Sequence, residues 1–494
     1  MRYFIGIDIG TSGTKAILYS EKGQEITNAF YTYELYSEKS GYAEQNPLDW
    51  YEATIKCLAD ITKNSGVDKN DIKGIGLSGQ MHGLVMLDKD NRLLHKSIIW
   101  CDTRCNEEVD YINSHVDYIK YTLNPAIVGF TLPKLLWIKN HRHDVYSKIA
   151  KIMLPKDYVN YCLTGNFSAD VSDASGTGMF DVAKREWSSE VLSMFDIPSS
   201  WLPKVYESYQ KVGNITSRIA NLTGLSTDTI VVAGAGDQAA AGLGNGILNS
   251  GDSSMSIGTS GVVFTALSKP LCEVNGRLHT FCHAVPNMWH TMGVTQGCGI
   301  SLSWFHNNFA KDYSYKELDL MAEKVPFGSN GLIYLPYLQG ERTPHLDSYI
   351  RGAFIGMSSS HTTAHFYRAI LEGVAMSLRD CKELIVGLGV DIDNLIVSGG
   401  GAKSNIWLNI ISKIFALPLV KKEVTESGTR GVAMLASVGS GVYSDLATAN
   451  ENFENKVVET IYNGDNNMVD ELYSLYKELY PLLKDNNKKL DMFR

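Results

Sequence analysis

The pentapeptide Ile-Gly-Thr-Ser-Gly occurs at residues 9–13 and again at residues 257–261, one copy in each half of a 494-residue chain. Each copy follows a stretch of strand character, 3–8 in the first case and 252–257 in the second. Gly, Thr and Ser leave backbone amides and hydroxyls free to close around phosphate oxygens, with no bulky Cβ in the way. Asp8 precedes the first copy and supplies the oxygen ligand that magnesium takes beside a nucleotide. One such loop is weak evidence. Two, each after a strand and one per half, point to two related domains gripping phosphates from opposite sides.

Length agrees with that division, because one hydrophobic core does not grow to this size. The boundary is expected near residue 247, just after Gly244-Asn245-Gly246, giving units 1–247 and 248–494. No low-complexity linker joins them, so the halves should be tightly coupled across a cleft. The first half reads as strands at 3–8, 15–19 and 25–33, a helix over 47–63 with Pro47 in its first turn, then a strand at 72–78. The second half repeats the plan with strands at 252–257, 262–267 and 395–397 and helices over 365–386 and 404–415. Residues 430–439 read as a small-residue helix suited to close packing. A terminal amphipathic helix is expected over 469–480, stopped by Pro481. Hairpins followed by helices make the sheets mixed.

Composition removes several function classes. With 45 basic against 54 acidic side chains the formal charge is −9, and no Lys/Arg run forms a stripe that could track a nucleic acid. None of the eight cysteines forms a Cys-x-x-Cys pair, so neither a structural zinc nor a disulfide framework is expected. There is no signal peptide at the N-terminus and no stretch of membrane-spanning length, which makes the cytoplasm the expected location. Nothing decides between a monomer and a homodimer.

Four Gly-rich turns follow apolar strands, at 10–13, 234–236, 258–261 and 399–401. None carries the Gly-Lys-Ser/Thr of a Walker loop, and none is a dinucleotide fingerprint. Phosphoryl transfer asks little of a protein: a magnesium ion, amides around the phosphates and a base for the attacking hydroxyl. Asp8 suits the metal, and Lys15 is the cation nearest the first loop. Asp237, in Ala-Gly-Ala-Gly-Asp-Gln-Ala-Ala-Ala, is either the base or a helix cap; composition alone leaves those even. Gln80, His82, Asp102 and Arg104 lie near strand ends, and Ser78-Gly79-Gln80-Met81-His82-Gly83 combines free backbone with polar groups. Residues 338–345 form a second dense polar turn, an inter-domain contact or a lip of the cleft.

At these residues the chain resembles the FGGY family of carbohydrate kinases, within the larger group of actin, hexokinase and heat-shock ATPases. The resemblance runs nearly end to end, with residues 8–13 and 257–261 as phosphate motifs and Gly399-Gly400-Gly401-Ala402 with Asn405 as the adenosine motif. It implies an α/β fold of two duplicated actin/hexokinase-like (ribonuclease H-like) domains around a central cleft. It also implies ATP and Mg2+ as cofactors and a small sugar as substrate, with neither nucleic acid nor membrane as partner. Residues 78–83, 154–158, 172–177 and 340–345 are most similar to the members that phosphorylate D-xylulose. The implied roles are Asp237 as base, Asp8 for magnesium and geometry, and Met81, His82, Asp102 and Gln238 for the sugar. Thr11, Ser12, Gly13, Lys15 and Thr259 would hold phosphates, and Gly299, Gly400, Gly401 and Asn405 the rest of the nucleotide. Cys101 and Gln238 depart from the residues common in that branch, and Met81-His82 replaces the Arg-Glu pair of glycerol-phosphorylating members. The rivals are kinases of the same build acting on ribulose or a polyol. A nucleotide-gated ATPase is more distant: no peptide-binding module is recognisable, and no DNA-binding helix pair precedes Tyr3.

Overall fold

Strand β1 (Tyr3–Ile9) is buried along nearly its whole length, because helices cover both faces of the sheet it centres. The computed structural model describes residues 1–115, 117–423, 426–464 and 467–493. In the first lobe β1 is flanked by β2 (Gly13–Ser20), β3 (Glu25–Thr32), β4 (Ile72–Gly79), β5 (Lys211–Asn214), β6 (Ile230–Val232) and β7 (Ala235–Gly236). Their order is β5-β6-β4-β1-β2-β3, with β7 following β6 alongside β4. The β1–β2 and β2–β3 pairs are antiparallel, whereas β4 runs parallel to β1, β6 and β7.

The second lobe repeats this arrangement around β8 (Ser253–Ile257), with β9 (Gly261–Leu267), β10 (His279–Cys282), β11 (Trp289–Thr295), β12 (Leu395–Ser398), β13 (Leu419–Lys422) and β14 (Val457–Ile461) in the order β10-β11-β9-β8-β12-β13-β14. Again the central strand has an antiparallel neighbour on one side and a parallel one on the other. The duplication expected from the repeated pentapeptide is therefore present in the topology. Each copy is the turn that leaves the central strand.

Helix α1 (Pro47–Asn64) forms where Asn46 caps the first turn and Pro47 takes N1, and it buries Trp50, Ala53, Cys57, Leu58 and Ile61 at helical spacing against β2 and β3. Helices α2 (Asp237–Gly244), α3 (Thr363–Val386), α4 (Asn405–Phe415) and α5 (Ser427–Gly439) complete the frame. The small-residue helix α5 crosses to the first lobe. A Cβ at Gly6 would lie 1.9 Å from the Thr429 carbonyl oxygen, one at Gly76 2.0 Å from that of Val432, and one at Gly244 1.8 Å from that of Ser427. Glycine is required at these sites because the α5 backbone lies directly on the sheet at Gly6 and Gly76 and on the end of α2 at Gly244. Helices α2 and α5 thus couple the two lobes at the cleft floor.

One expectation fails. The terminal helix α6 runs over Asn467–Leu490 with Pro481 inside it. Proline forfeits one backbone bond there, but its fixed φ is helical, and tertiary contacts hold the helix leading into it: Tyr473 donates to Asp380 at 2.6 Å and Tyr480 to Asp347 at 3.1 Å. No helix among the described residues is long and apolar enough to cross a membrane.

Candidate active site

Three parallel strands of the first lobe end side by side. Ser78 on β4 pairs with Asp8 on β1 and with Ala235 on β7, so Gly10, Gln80 and Asp237 all emerge at one edge of the sheet. The crevice beyond the carboxyl ends of parallel strands is where open α/β sheets bind ligands. Asp237 opens α2, and its Oδ1 accepts the Gln238 amide at 2.7 Å. Burial pushes its carboxyl up to about 7, the nearby Asp8 charge adds to this, and Gln238 opposes it. Asp8 is raised too, first by burial and then by Glu426, with Ser78 and Lys15 pulling the other way. A carboxylate poised near neutrality is what a general base requires.

A buried ionic cluster holds the backbone of Asp237. The Lys156 ammonium lies 2.6 Å from Asp157, 3.0 Å from Asp170 and 3.8 Å from Asp173, all of them essentially inaccessible. Burial opposes the charge on Lys156, but the three carboxylates outweigh it and raise its pKa. Lys156 and Asn160 both donate to the Ala233 carbonyl, at 3.2 and 3.0 Å. Asp170 accepts the Ser172 hydroxyl at 2.6 Å, and that hydroxyl accepts the Gly236 amide at 3.0 Å. The peptide leading into Asp237 is therefore fixed at both ends. These three aspartates already hold an ammonium ion, so they are not a magnesium site.

The first Gly-Thr-Ser-Gly turn closes on itself through the Gly10 amide and the Gly13 carbonyl at 3.0 Å. A Cβ at Gly13 would meet the Tyr31 carbonyl oxygen at 2.6 Å, so glycine is required there as well. Thr11 is braced from outside: Trp100 Nε1 donates to its hydroxyl at 2.9 Å and Gln45 Nε2 to its carbonyl at 2.7 Å. Gln80 donates to Gln45 at 2.7 Å, and the Tyr33 hydroxyl donates to the Gly10 carbonyl. Ser12 stays exposed at the tip. Sequence reasoning missed Gln45, Trp100 and Tyr33, which carry no motif. Lys15 is not a free phosphate cation, since Glu426 holds its ammonium at 2.6 Å.

Met81 is buried against Gly236 and Gly176, whose missing Cβ atoms make room for it. His82 adopts a left-handed φ of 72°, fixed by two donors to its carbonyl, Thr131 at 3.1 Å and Lys134 at 3.0 Å. Its Nδ1 lies 2.7 Å from the Gly176 carbonyl, so Nδ1 carries the proton and Nε2 is left as an acceptor. Burial pushes His82 down to about 3, with Lys134 and Arg342 adding to the shift, so the ring is neutral at physiological pH. Asp102 is not brought to this surface. It is fully buried and spent on the Ala43 amide at 2.6 Å and on Arg104 at 2.6–3.0 Å, which corrects its expected place as a sugar partner. Gln238 remains half-buried beside Asp237.

In the second lobe Thr259, Gly299, Gly400, Gly401 and Asn405 come together around a cavity of about 1060 Å³, with Leu302, Tyr315 and Trp407 as apolar wall. Parallel pairing of Ser256 with Ser398 sets the second Gly-Thr-Ser-Gly turn beside the 399–401 turn. Gly299 supports that turn, its amide donating to the Gly258 carbonyl at 2.9 Å; a Cβ there would stand 2.5 Å from the same oxygen. Gly399 has φ +88° and lies against the Ile257 backbone. The cavity is large enough for a nucleoside with its phosphates and lies at the upper end of ligand-pocket sizes.

Comparison with known proteins gives a consistent result. Residues 3–244 match the N-terminal domain of the FGGY family of carbohydrate kinases, and residues 253–440 its C-terminal domain. A protein of Bacillus subtilis named xylulose kinase is 40% identical over 499 residues, covering 100% of both chains. Two solved structures from Lactobacillus acidophilus superpose equally well, each with a TM-score of 0.94. One is a ligand-bound xylulose kinase, 27% identical and covering 99% of this chain and 100% of its own. The other is a gluconate kinase, 28% identical and covering 99% of each.

Proposed function

The chain belongs to the FGGY family of carbohydrate kinases and is an ATP-dependent sugar kinase; from that premise we propose that its acceptor is D-xylulose, phosphorylated at the terminal hydroxyl with Asp237 as base. Near-full-length identity to proteins named xylulose kinase favours the acceptor. The observation that carries the mechanism is the position of Asp237: a carboxyl raised to about 7 at the strand ends, one residue from Gly236, against which Met81 packs. Ionised Asp237 takes the hydroxyl proton as the oxygen attacks the γ-phosphorus. The bond to the ADP oxygen breaks, and the product is the sugar 5-phosphate. His82 accepts a sugar hydroxyl at Nε2, and Gln238 adds a second polar contact. Thr11, Ser12, Gly13 and Thr259 hold phosphate oxygens, and the second-lobe cavity takes the adenosine.

The Asp8 charge raises the cost of charge on Asp237, while Lys15, the cation that bears on Asp8, is held by Glu426. That donor set fits magnesium, with Asp8 as the residue that would hold it. When bound, the ion supplies charge neutralisation across the phosphates. We take the lobes to divide near residue 247 and to close over the substrates, excluding the water that would otherwise hydrolyse ATP.

The test is a panel of D-xylulose, D-ribulose, D-gluconate, glycerol and xylitol, read by acceptor-dependent ADP release and product mass. The expected result is a pentulose monophosphate and a kcat/KM for D-xylulose at least about tenfold above every rival. A clear preference for another acceptor overturns the assignment.

A further inference from the structure

The proposed acceptor contacts leave one cation of the cleft without a role. Arg342 keeps part of its surface open, and its only side-chain hydrogen bond among the described residues is to His279 Nε2 at 2.8 Å. Among the described residues no carboxylate pairs with it. Its neighbour Glu341 is already committed, to Thr295 at 2.7 Å and to the Gln296 and Arg342 amides at 2.8 Å each. A guanidinium without a paired carboxylate in so closed a place is costly: burial lowers its affinity for its proton, and the Glu341 charge only partly opposes this.

The surroundings hold this group in place. A guanidinium only donates, so His279 Nε2 accepts, and the proton sits on Nδ1, 3.3 Å from Asn124 Oδ1. Asn124 is oriented in turn by Thr280, whose carbonyl takes its amide at 2.7 Å and whose own amide reaches Oδ1 at 3.0 Å. On the other flank Thr343 is bound to Val294 in both directions, at 3.0 and 3.1 Å, which fastens the 340–347 turn to β11. His279 and Phe281 share one face of β10, and Phe130 of the first lobe packs against both and against His82, with ring centroids 6.0 Å from His279 and 5.0 Å from His82, while Phe281 itself lies 6.2 Å from His82. Arg342 thus arrives from the second lobe, through His279, beside the ring cluster that packs against His82.

Building on the acceptor reading above, we propose that Arg342, presented by His279, binds the carbonyl end of the open-chain sugar, remote from the hydroxyl at Asp237. Its unspent N–H groups match oxygens that only accept, which is what distinguishes a ketose carbonyl from a polyol hydroxyl. The second lobe thereby contributes to acceptor choice as well as to nucleotide binding.

The experiment uses the full-length enzyme and its Arg342→Gln variant. We expect KM for D-xylulose to rise about 10- to 100-fold, as loss of a charged hydrogen bond implies. The inhibition constant of xylitol, which lacks the carbonyl, should change less than about threefold by the same reasoning. Millimolar guanidinium should partly rescue an Arg342→Ala variant, which a purely structural role would not allow. A KM within about twofold of wild type, or equal losses for both ligands, overturns the proposal. A wild-type crystal soaked in D-xylulose gives an answer that does not depend on variant folding: no sugar oxygen within hydrogen-bond reach of Arg342 also overturns it. Failure of the acceptor reading is distinguishable, because the wild-type enzyme would then not use D-xylulose.

Discussion

Replacing Asp237 by Asn should abolish turnover and stabilise the protein together. The carboxyl ionises near 3.8 ordinarily and near 7 in the fold. Forcing it to carry charge above that pH costs on the order of 4 kcal/mol. Asp237 keeps part of its surface open to the cleft, so we discount this to about 2 kcal/mol. For a chain of this size, that corresponds to a melting temperature about 2 °C higher in the variant at pH 8. Because the folded carboxyl binds its proton more tightly than the unfolded one, wild-type stability falls as pH rises from about 4 to about 7. The gain in Asp237→Asn is therefore complete above about pH 7 and vanishes near pH 4. Turnover should fall by about 10² to 10⁴, the usual worth of a general base, with ADP binding retained. Calorimetry across pH and coupled ADP release read the two effects. Near wild-type turnover, or a variant less stable than wild type at pH 8, would refute the reasoning.

Three further outcomes follow from the geometry. Gly6→Ala places a Cβ 1.9 Å from the Thr429 carbonyl and should cost about 3 kcal/mol by lifting α5 from the sheet, read as a lower denaturant midpoint. Lys156→Met leaves three buried carboxylates without their cation and should lose about 3–5 kcal/mol. That loss should be greatest above about pH 7 and ease on acidification as the carboxyls take up protons, which a series of melts would record. Thr259→Ala should raise KM for ATP about tenfold and leave KM for the sugar within about twofold, since the residue lines the second-lobe cavity.

Features carried by a few consecutive residues were legible in the sequence. The Gly-rich turns after strand-like segments located both central strands, Pro47 marked the first turn of α1, and the small residues of 430–439 announced a closely packing helix. Most of what stayed hidden depends on residues far apart in the chain. Lys156 reaches Asp237 only through Ala233 and, by way of Asp170 and Ser172, Gly236, and each of these alone is a common residue type in an unremarkable setting. Asp102 looked available because the sequence does not show that Arg104 and the Ala43 amide saturate it. Lys15 looked free because its partner Glu426 comes from the far half of the chain. Pro481 was read as a stop because local propensity favours one, whereas Tyr473 and Tyr480 anchor the helix ahead of it and hold its course.

The central claim is that twin turns, one from each lobe, hold the phosphoryl donor over a sugar whose hydroxyl faces Asp237. A crystal structure with magnesium, a non-hydrolysable ATP analogue and D-xylulose tests it most directly. We expect the β and γ phosphates to be contacted by residues 11–13 and 259–261 in the same molecule, with the acceptor hydroxyl about 3 Å from Asp237. Phosphates touching one turn alone, or a sugar whose terminal hydroxyl points away from Asp237, would contradict it.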